Sequence, residues 1–511
     1  MNTPRPDLDL VPKPSAVRVK GGVLRLSGPP AAESGPFAAE CGVFQEQIRG
    51  CFHGGVLSPP GMNAEGGTRL RCVHDGALAE EAYHLHIGDG LVTVAASSGS
   101  GAYHGLQTLR QLILSGEEKR LRPGAVEIPR AEIEDAPRFP WRGFMLDCSR
   151  HFFSAGFIRK IIDALSLHHI NRFHWHLTDD QGWRFPVPEY PLLTETGSRR
   201  KDLRGGRLEG GFYTGQEIRG IVDFASLRHV EVVPEVDLPG HTLSVLASYP
   251  ALGCTGGPYE VEDRFGIFED VLCAGNSGIF DFAAAVFGAL ADFFPSRWVH
   301  IGGDEVLFNR WEACPKCRKR LAETGLSSPR ELQSWITSRL AAMLAERGKI
   351  PIGWDEILED SPAFPLPAGA VVMSWRGREG GLEAARRGRR VIMSPNTEGC
   401  YLDYKHSEDP EEPGQLGISS LRTIYGMNPA GGMDGKEADL ILGGQGNLWT
   451  ELVYSGRIAE YMIFPRICAL AEALWNPGGP AGFEDFTRRL SAHRARLDAL
   501  DLLYSRSATN R

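Results

Sequence analysis

From Trp141 to Trp449 the sequence repeats one alternation eight times: a short apolar run, then a longer segment of helical period. The runs are WRGFMLD, NRFHWHLTD, VEVVPEVD, WVHIGGDE, IPIGWDE, AVVMSW, RVIMSPN and DLILGGQGNLW. Between them lie amphipathic stretches such as GQEIRGIVDFASLRH, FDFAAAVFGALADFF and ELQSWITSRLAAMLAERG. Short apolar strands separated by helices of this length are βα units, and eight of them predict an α/β protein with a (β/α)8 TIM barrel. The expected barrel spans residues 136–480.

Ahead of it, AYHLHIG and LVTVAAS alternate as strands around a Gly-Asp-Gly turn and lead into the helical pattern AYHGLQTLRQLIL. These features predict a small α/β domain over residues 1–135. The proline-bearing stretch EIPRAEIEDAPRFPW reads as a connector. Residues 481–511 contain FEDFTRRLSAHRARLDAL, a C-terminal helix expected to pack on the barrel. Residues 402–436, rich in Asp, Glu, Pro and Gly, form a long late connection that would border the mouth of the barrel.

Charge and composition narrow the function. The net charge of −9 over 511 residues, with Lys and Arg scattered, gives no footprint for nucleic acid. The N-terminus lacks the apolar core of a signal peptide, and no segment approaches the roughly 20 apolar residues that span a bilayer. Taken as it stands, the chain is expected to be soluble and cytoplasmic, or exported if a leader has been removed. A homodimer is left open.

Ten cysteines are thinly spread. Cys314 and Cys317 form a lone CPKC with no second ligand pair at finger-like spacing, which favours packing or a disulfide over a metal. Cys254 and Cys273 close a Gly- and Pro-bearing loop and could bridge in an oxidising compartment. No metal and no cofactor are expected.

In a barrel of this kind the C-terminal ends of the strands build the active site. Unusual residues fall at those ends. Arg150 follows the first strand, Asp179 closes the second and His241 lies past the third. Asp304 and Glu305 end the fourth, Trp354 the fifth and Trp375 the sixth, while Tyr401 and Asp403 follow the seventh and Trp449 and Glu451 the eighth. Taken singly, each could be rim packing or a surface charge. Together, aromatic rings beside carboxylates and an arginine suit a carbohydrate, whose apolar faces stack and whose hydroxyls need charged partners.

The adjacent pair in HIGGDE is informative. Two glycines let the backbone turn and approach a ligand closely. Neighbouring carboxylates can hardly flank a glycosidic bond from opposite sides about 5 Å or more apart. A division of labour remains in which the substrate's 2-acetamido oxygen is the nucleophile, one carboxylate is the acid and the other orients the amide. Two rival readings stand beside this one. His174 and His176 form an HxH pair that could begin a metal-dependent hydrolase site, but the later strand ends offer Trp and carboxylates rather than further ligands. A non-catalytic glycan-binding barrel would use the same aromatic residues without turnover.

The chain resembles the β-N-acetylhexosaminidases of glycoside hydrolase family 20 through RGFMLDCSRHFF, HWHLTDDQGWRF, EVDLPGHT, HIGGDE, GWDEIL, SWRG, YLDY and NLWTE, covering about residues 140 to 475. The resemblance implies that Glu305 is the general acid and base, with Asp304 holding the acetamido nitrogen and Tyr401 its oxygen. Trp354, Trp375 and Trp449 would wall the sugar pocket. Arg150 and Glu451 would bind sugar hydroxyls, assisted by Asp403. Asp179 and His241 would support Glu305, which is expected to be buried near other carboxylates so that it holds its proton. The implied partners are glycans or oligosaccharides ending in N-acetylhexosamine.

Overall fold

The computed structural model describes residues 8–33, 35–52, 67–115, 126–201, 208–359, 362–479 and 482–506. All eight apolar runs become parallel strands of one closed barrel: Trp141–Asp147, Arg172–His176, Glu231–Glu235, Trp298–His300, Ile350–Trp354, Val371–Ser374, Val391–Met393 and Ile441–Leu448. The eighth pairs back onto the first, Gly444 opposite Arg142 and Leu448 opposite Leu146, so no edge is left open.

Strand alternation divides the side chains between two cores. On the second strand Phe173 and Trp175 join the cluster shared with the surrounding helices, while His174 contacts Trp354 on the inner side. The lumen is filled by Trp141, Val233, Trp298, Ile352, Trp354, Met373 and Ile392. Helices enter on local signals legible in the chain. Ser154 caps Ala155–Leu167, Thr214 and Glu217 make a capping box on Gly215–Ser226, and Ser328 with Pro329 opens Pro329–Glu346.

The N-terminal unit is a six-stranded sheet carrying the helices Ala38–Ile48 and Gly99–Leu114. The expected connector is only partly one: Val126–Asp135 is a ten-residue strand lying between Ala16–Leu26 and Tyr83–Ile87. Its proline is tolerated because Tyr83–Ile87 pairs only with Ala131–Asp135, so Pro129 sits where the strand has one neighbour, beside a register shift in that neighbour. Ala131, Ile133 and Asp135 alternate toward the core, while Ile128, ahead of Pro129, is buried out of step with them.

The late segment 402–436 is not structureless. It contains the paired strands Tyr404–Lys405 and Gln415–Ile418 and the short helices Leu421–Tyr425 and Gly435–Ala438. Buried Arg466 holds it, donating to Leu402 O at 2.6 Å, Tyr404 O at 2.8 Å and Ser419 O at 2.9 Å. Neither Cys254–Cys273 nor Cys314–Cys317 is bonded; their four sulfurs meet in one cluster.

The C-terminal helix, Phe483–Ala499, packs on the barrel and also reaches the N-terminal unit. Arg489 forks onto Glu472 at 2.5 and 2.7 Å and donates to Leu10 O at 2.8 Å, and Arg496 donates to Gln111 O at 2.8 Å. The expected boundary at 480/481 falls outside the described residues. Glu472 and Arg489 are fully buried, so Arg489→Leu should leave an uncompensated charge and cost about 3–5 kcal/mol. Urea unfolding checks this, and adding Glu472→Leu to that variant should recover part of the loss.

Candidate active site

The fourth strand stops at His300, and the following Ile301-Gly-Gly-Asp-Glu segment is irregular. Gly302 and Gly303 take φ of 65° and 97°, and Glu305, which has a side chain, takes 50°. A Cβ at Gly302 would collide with the Asp237 carboxylate, whose Oδ1 accepts from Gly303 N at 3.0 Å. The close approach that this glycine permits is therefore to Asp237 rather than to a ligand. Left-handed backbone costs a residue like Glu305 about 1–2 kcal/mol and breaks strand alternation, so consecutive carboxylates reach the same neighbour. His241, itself left-handed at φ 52°, lies with Nε2 3.8 Å from Asp304 and 3.6 Å from Glu305.

Behind His241 runs a chain of buried polar groups. Its Nδ1 lies 3.2 Å from both Asp179 and Asp180, and Asp179 Oδ2 is 2.9 Å from His176 Nε2 and 2.9 Å from Arg150 Nη2. His176 Nδ1 is 2.5 Å from Glu235, which also meets His300 Nδ1 at 2.8 Å and Trp354 Nε1 at 3.0 Å. Burial opposes a charge on His176 and on His241, but carboxylates at both ring nitrogens outweigh it and hold each imidazole well above its usual range. Asp179 is shifted the opposite way: burial would raise it, yet Arg150 and His241 keep it ionised.

The two carboxylates of the pair sit in different surroundings. Asp304 is 8% exposed, and burial first, then the like charge of Asp237, pushes its carboxyl well above the usual range. Burial likewise raises Asp237, to about 7. The two carboxyl groups lie in one cluster with His241, an oxygen of each and a ring nitrogen all within 4.8 Å of one another, and among the described residues Asp237 Oδ2 and Asp304 Oδ1 have no hydrogen-bond partner. The Glu305 side chain is 32% exposed. The burial expected around Glu305 belongs instead to Asp304, because the left-handed turn aims Glu305 to the open side.

Aromatic rings complete the enclosure. Trp449 lies 5.8 Å from Trp354 and 6.4 Å from Tyr401, and Tyr401 stacks on Trp375 at 6.1 Å with planes 13° apart. Trp375 Nε1 donates to Glu356 at 2.9 Å. Arg150 stands over Trp449 at 5.0 Å. Its charge is coupled to Glu451, whose carboxylate is in turn felt by Asp403. Asp403 Oδ1 and Glu451 Oε2 are buried acceptors with no donor among the described residues. Burial raises both carboxyls from their usual range.

The structure thus links nine of the eleven residues singled out from the sequence through contacts from 2.9 Å for Arg150–Asp179 to 6.4 Å for Tyr401–Trp449, with Asp403 and Glu451 each two residues beyond a member of that set. Residues 139–478 match the catalytic domain of glycosyl hydrolase family 20, and residues 7–136 match that family's domain 2. The chain belongs to glycosyl hydrolase family 20. It is 41% identical over 432 residues to a β-hexosaminidase of Porphyromonas gingivalis, a match covering 84% of this chain and 55% of that one. It is 35% identical over 421 residues to a β-hexosaminidase of Akkermansia muciniphila, covering 82% of this chain and 84% of that one. Among solved structures, the family 20 exo-β-N-acetylglucosaminidase of Vibrio harveyi in complex with N-acetylglucosamine superposes with a TM-score of 0.88 at 30% identity, covering 99% of this chain and 80% of that one.

Within this family 20 site, five residues escaped the sequence reading: Asp180, Glu235, Asp237, His300 and Glu356. Asp237 stood in the EVDLPGHT motif, and Glu235 was a charge at a position buried inside an apolar strand, a usable signal once the inward histidines are considered with it. The reading that later strand ends offer Trp and carboxylates rather than further ligands to the HxH pair needs one correction, since the third and fourth strands bring Glu235 and His300 to it. Glu235 and His300 do reach His174 and His176, and the imidazoles turn inward to serve the buried Glu235 carboxylate. Burial lowers His174 to about 4, so of the pair it is His176 that carries charge.

Removing the like charge at Asp237 lets Asp304 ionise at lower pH. Asp237→Asn should therefore move the acidic limb of the kcat/KM–pH profile downward. An unmoved limb would show that Asp237 does not govern the titration of Asp304.

Proposed function

We propose that this chain is an exo-acting, retaining β-N-acetylhexosaminidase that removes terminal N-acetyl-β-D-glucosamine or N-acetyl-β-D-galactosamine from glycans by substrate-assisted catalysis. The observation that carries this reading is the adjacent pair Asp304 and Glu305, both held against one side of His241, beside an enclosure of Trp354, Trp375, Trp449 and Tyr401. Carboxylates so placed do not flank a bond from two sides, which leaves the nucleophile to the substrate. The hexosaminidase relatives and the N-acetylglucosamine bound by the Vibrio harveyi enzyme support the same substrate class.

In this mechanism Glu305 gives its proton to the glycosidic oxygen as the C1–O bond breaks, while the acetamido oxygen bonds to C1. The N–H of the acetamido group, acidified as positive charge spreads over the closing ring, faces Asp304. That charge favours ionised Asp304. Tyr401 donates to the acetamido oxygen, and the tryptophans pack on the ring and methyl group. Glu305, now a carboxylate, takes a proton from the water that attacks C1 and reopens the ring, giving net retention. His241, tied to Asp179 and Asp180, compensates the carboxylate's charge between the steps. Arg150, Asp403 and Glu451 suit the hydroxyls of a terminal sugar, since the unpartnered acceptors of Asp403 and Glu451 gain donors there.

The test is release of 4-nitrophenol from its N-acetyl-β-glucosaminide, with the β-glucoside, which lacks the acetamido group, as control. Hydrolysis of the first alone is expected. Binding without turnover by folded protein would favour the glycan-binding alternative. Glu305→Gln should lose about 10²–10⁴-fold in kcat on substrates with poor leaving groups and less on activated aryl glycosides. Equal losses would remove Glu305 from the acid role.

A further inference from the structure

Four cysteines distant in sequence converge at one point. Cys273 Sγ lies 3.6 Å from Cys317 and 3.9 Å from Cys314, Cys254 Sγ lies 3.7 Å from Cys317, and all four sulfurs fall within 4.8 Å of one another. Disulfide sulfurs would sit about 2.0 Å apart. Four thiolates on one tetrahedral zinc, each about 2.3 Å from the metal, are instead about 3.8 Å from one another. The observed spacings match that figure, and the all-sulfur donor set suits zinc.

The backbone around the cluster is arranged for it. Cys254 and Cys273 are brought side by side by the antiparallel bridge Gly253↔Leu272, with Cys273 N donating to Leu252 O at 2.8 Å. Cys314 caps the ten-residue helix Pro315–Thr324, with Pro315 as its first residue, and Cys317 follows one turn on. The helix N-terminus favours thiolates. Gly275 lies so close to the backbone of Lys316 and Cys317 that a Cβ there would collide with it, so the loop and the helix meet directly at the sulfurs. Three of the four cysteines are buried and none is bonded.

We propose that Cys254, Cys273, Cys314 and Cys317 bind one zinc ion as a closed tetrathiolate site that fastens the loop after the third barrel strand to the helix after the fourth. With four protein ligands the ion has no open position, so its role is structural. The loop it holds also supports the sugar pocket, since Glu262 N donates to Asp180 O at 3.1 Å and Arg264 O accepts from Gln181 at 2.7 Å. Gln181 in turn accepts from Arg150 Nε at 3.2 Å.

Elemental analysis of the full chain purified without chelator or added metal tests this. About one zinc per chain is expected, released when a mercurial titrates the thiols. Protein loaded with cobalt should show the ligand-field and thiolate charge-transfer bands of a tetrahedral four-sulfur site. Glu305→Gln should keep its zinc, whereas Cys314→Ser with Cys317→Ser should lose it and melt at lower temperature. Should the double variant fail to fold, metal content and the cobalt spectrum of the unmodified chain decide. Iron in place of zinc, metal-free protein with four freely alkylated thiols, or Cys254–Cys273 and Cys314–Cys317 disulfides in non-reducing peptide maps would each overturn the proposal.

Discussion

A carboxylate shut away from water has to find its partners among its neighbours, and at the centre of the barrel Glu235 does so with groups from three other strands. His176 comes from the second strand, His300 from the fourth and Trp354 from the fifth. A buried ion left unpaired costs several kcal/mol, so these strands cannot slide past one another without paying for it. The same contacts fix the floor of the pocket. Trp354 is oriented by its bond to Glu235, Trp449 packs against both Trp354 and His176, and Tyr401 and Trp375 continue the wall outward.

Polar order then passes outward by alternating sign. Glu235 sets His176, His176 and Arg150 set Asp179, Asp179 and Asp180 set His241, and His241 faces Asp304 and Glu305. His176 stands between the carboxylates of Glu235 and Asp179, and Asp179 between the cations Arg150, His176 and His241. That explains how two carboxylates one residue apart come to differ: Asp304 is pressed against Asp237 in the interior, whereas Glu305 is turned outward by its backbone. The strain at His241 and Glu305 is sustained by this network and by the fit of Gly302 against Asp237.

The barrel was legible because its strands are short apolar runs and the longer segments between them carry a helical period. The site was legible because strand ends converge by topology alone, so Arg150, Asp179, His241 and the Asp304–Glu305 pair needed only correct strand assignment to be grouped. What escaped the reading depends on tertiary proximity. The strand Val126–Asp135 was masked by prolines that only its single-sided pairing makes harmless. Asp237, Asp180 and Glu235 act through neighbours remote in sequence. Cys254–Cys273 and Cys314–Cys317 looked like separate local pairs, since no spacing along the chain reveals that a loop and a helix from successive βα units meet.

The arginines of the C-terminal helix bear on the order in which the molecule can be completed. Arg489 reaches Leu10 O and Arg496 reaches both Asp9 O and Gln111 O, so backbone carbonyls of the N-terminal unit are satisfied by side chains made far later in the chain. While the ribosome is still translating the barrel, those carbonyls lack these donors and Glu472 lacks Arg489. The contacts that Phe483–Ala499 adds to the junction can therefore form only after residue 496 has emerged, later than those of Arg142 with Glu81 or Arg110 with Asp163, which makes this helix a clasp on a body otherwise already assembled.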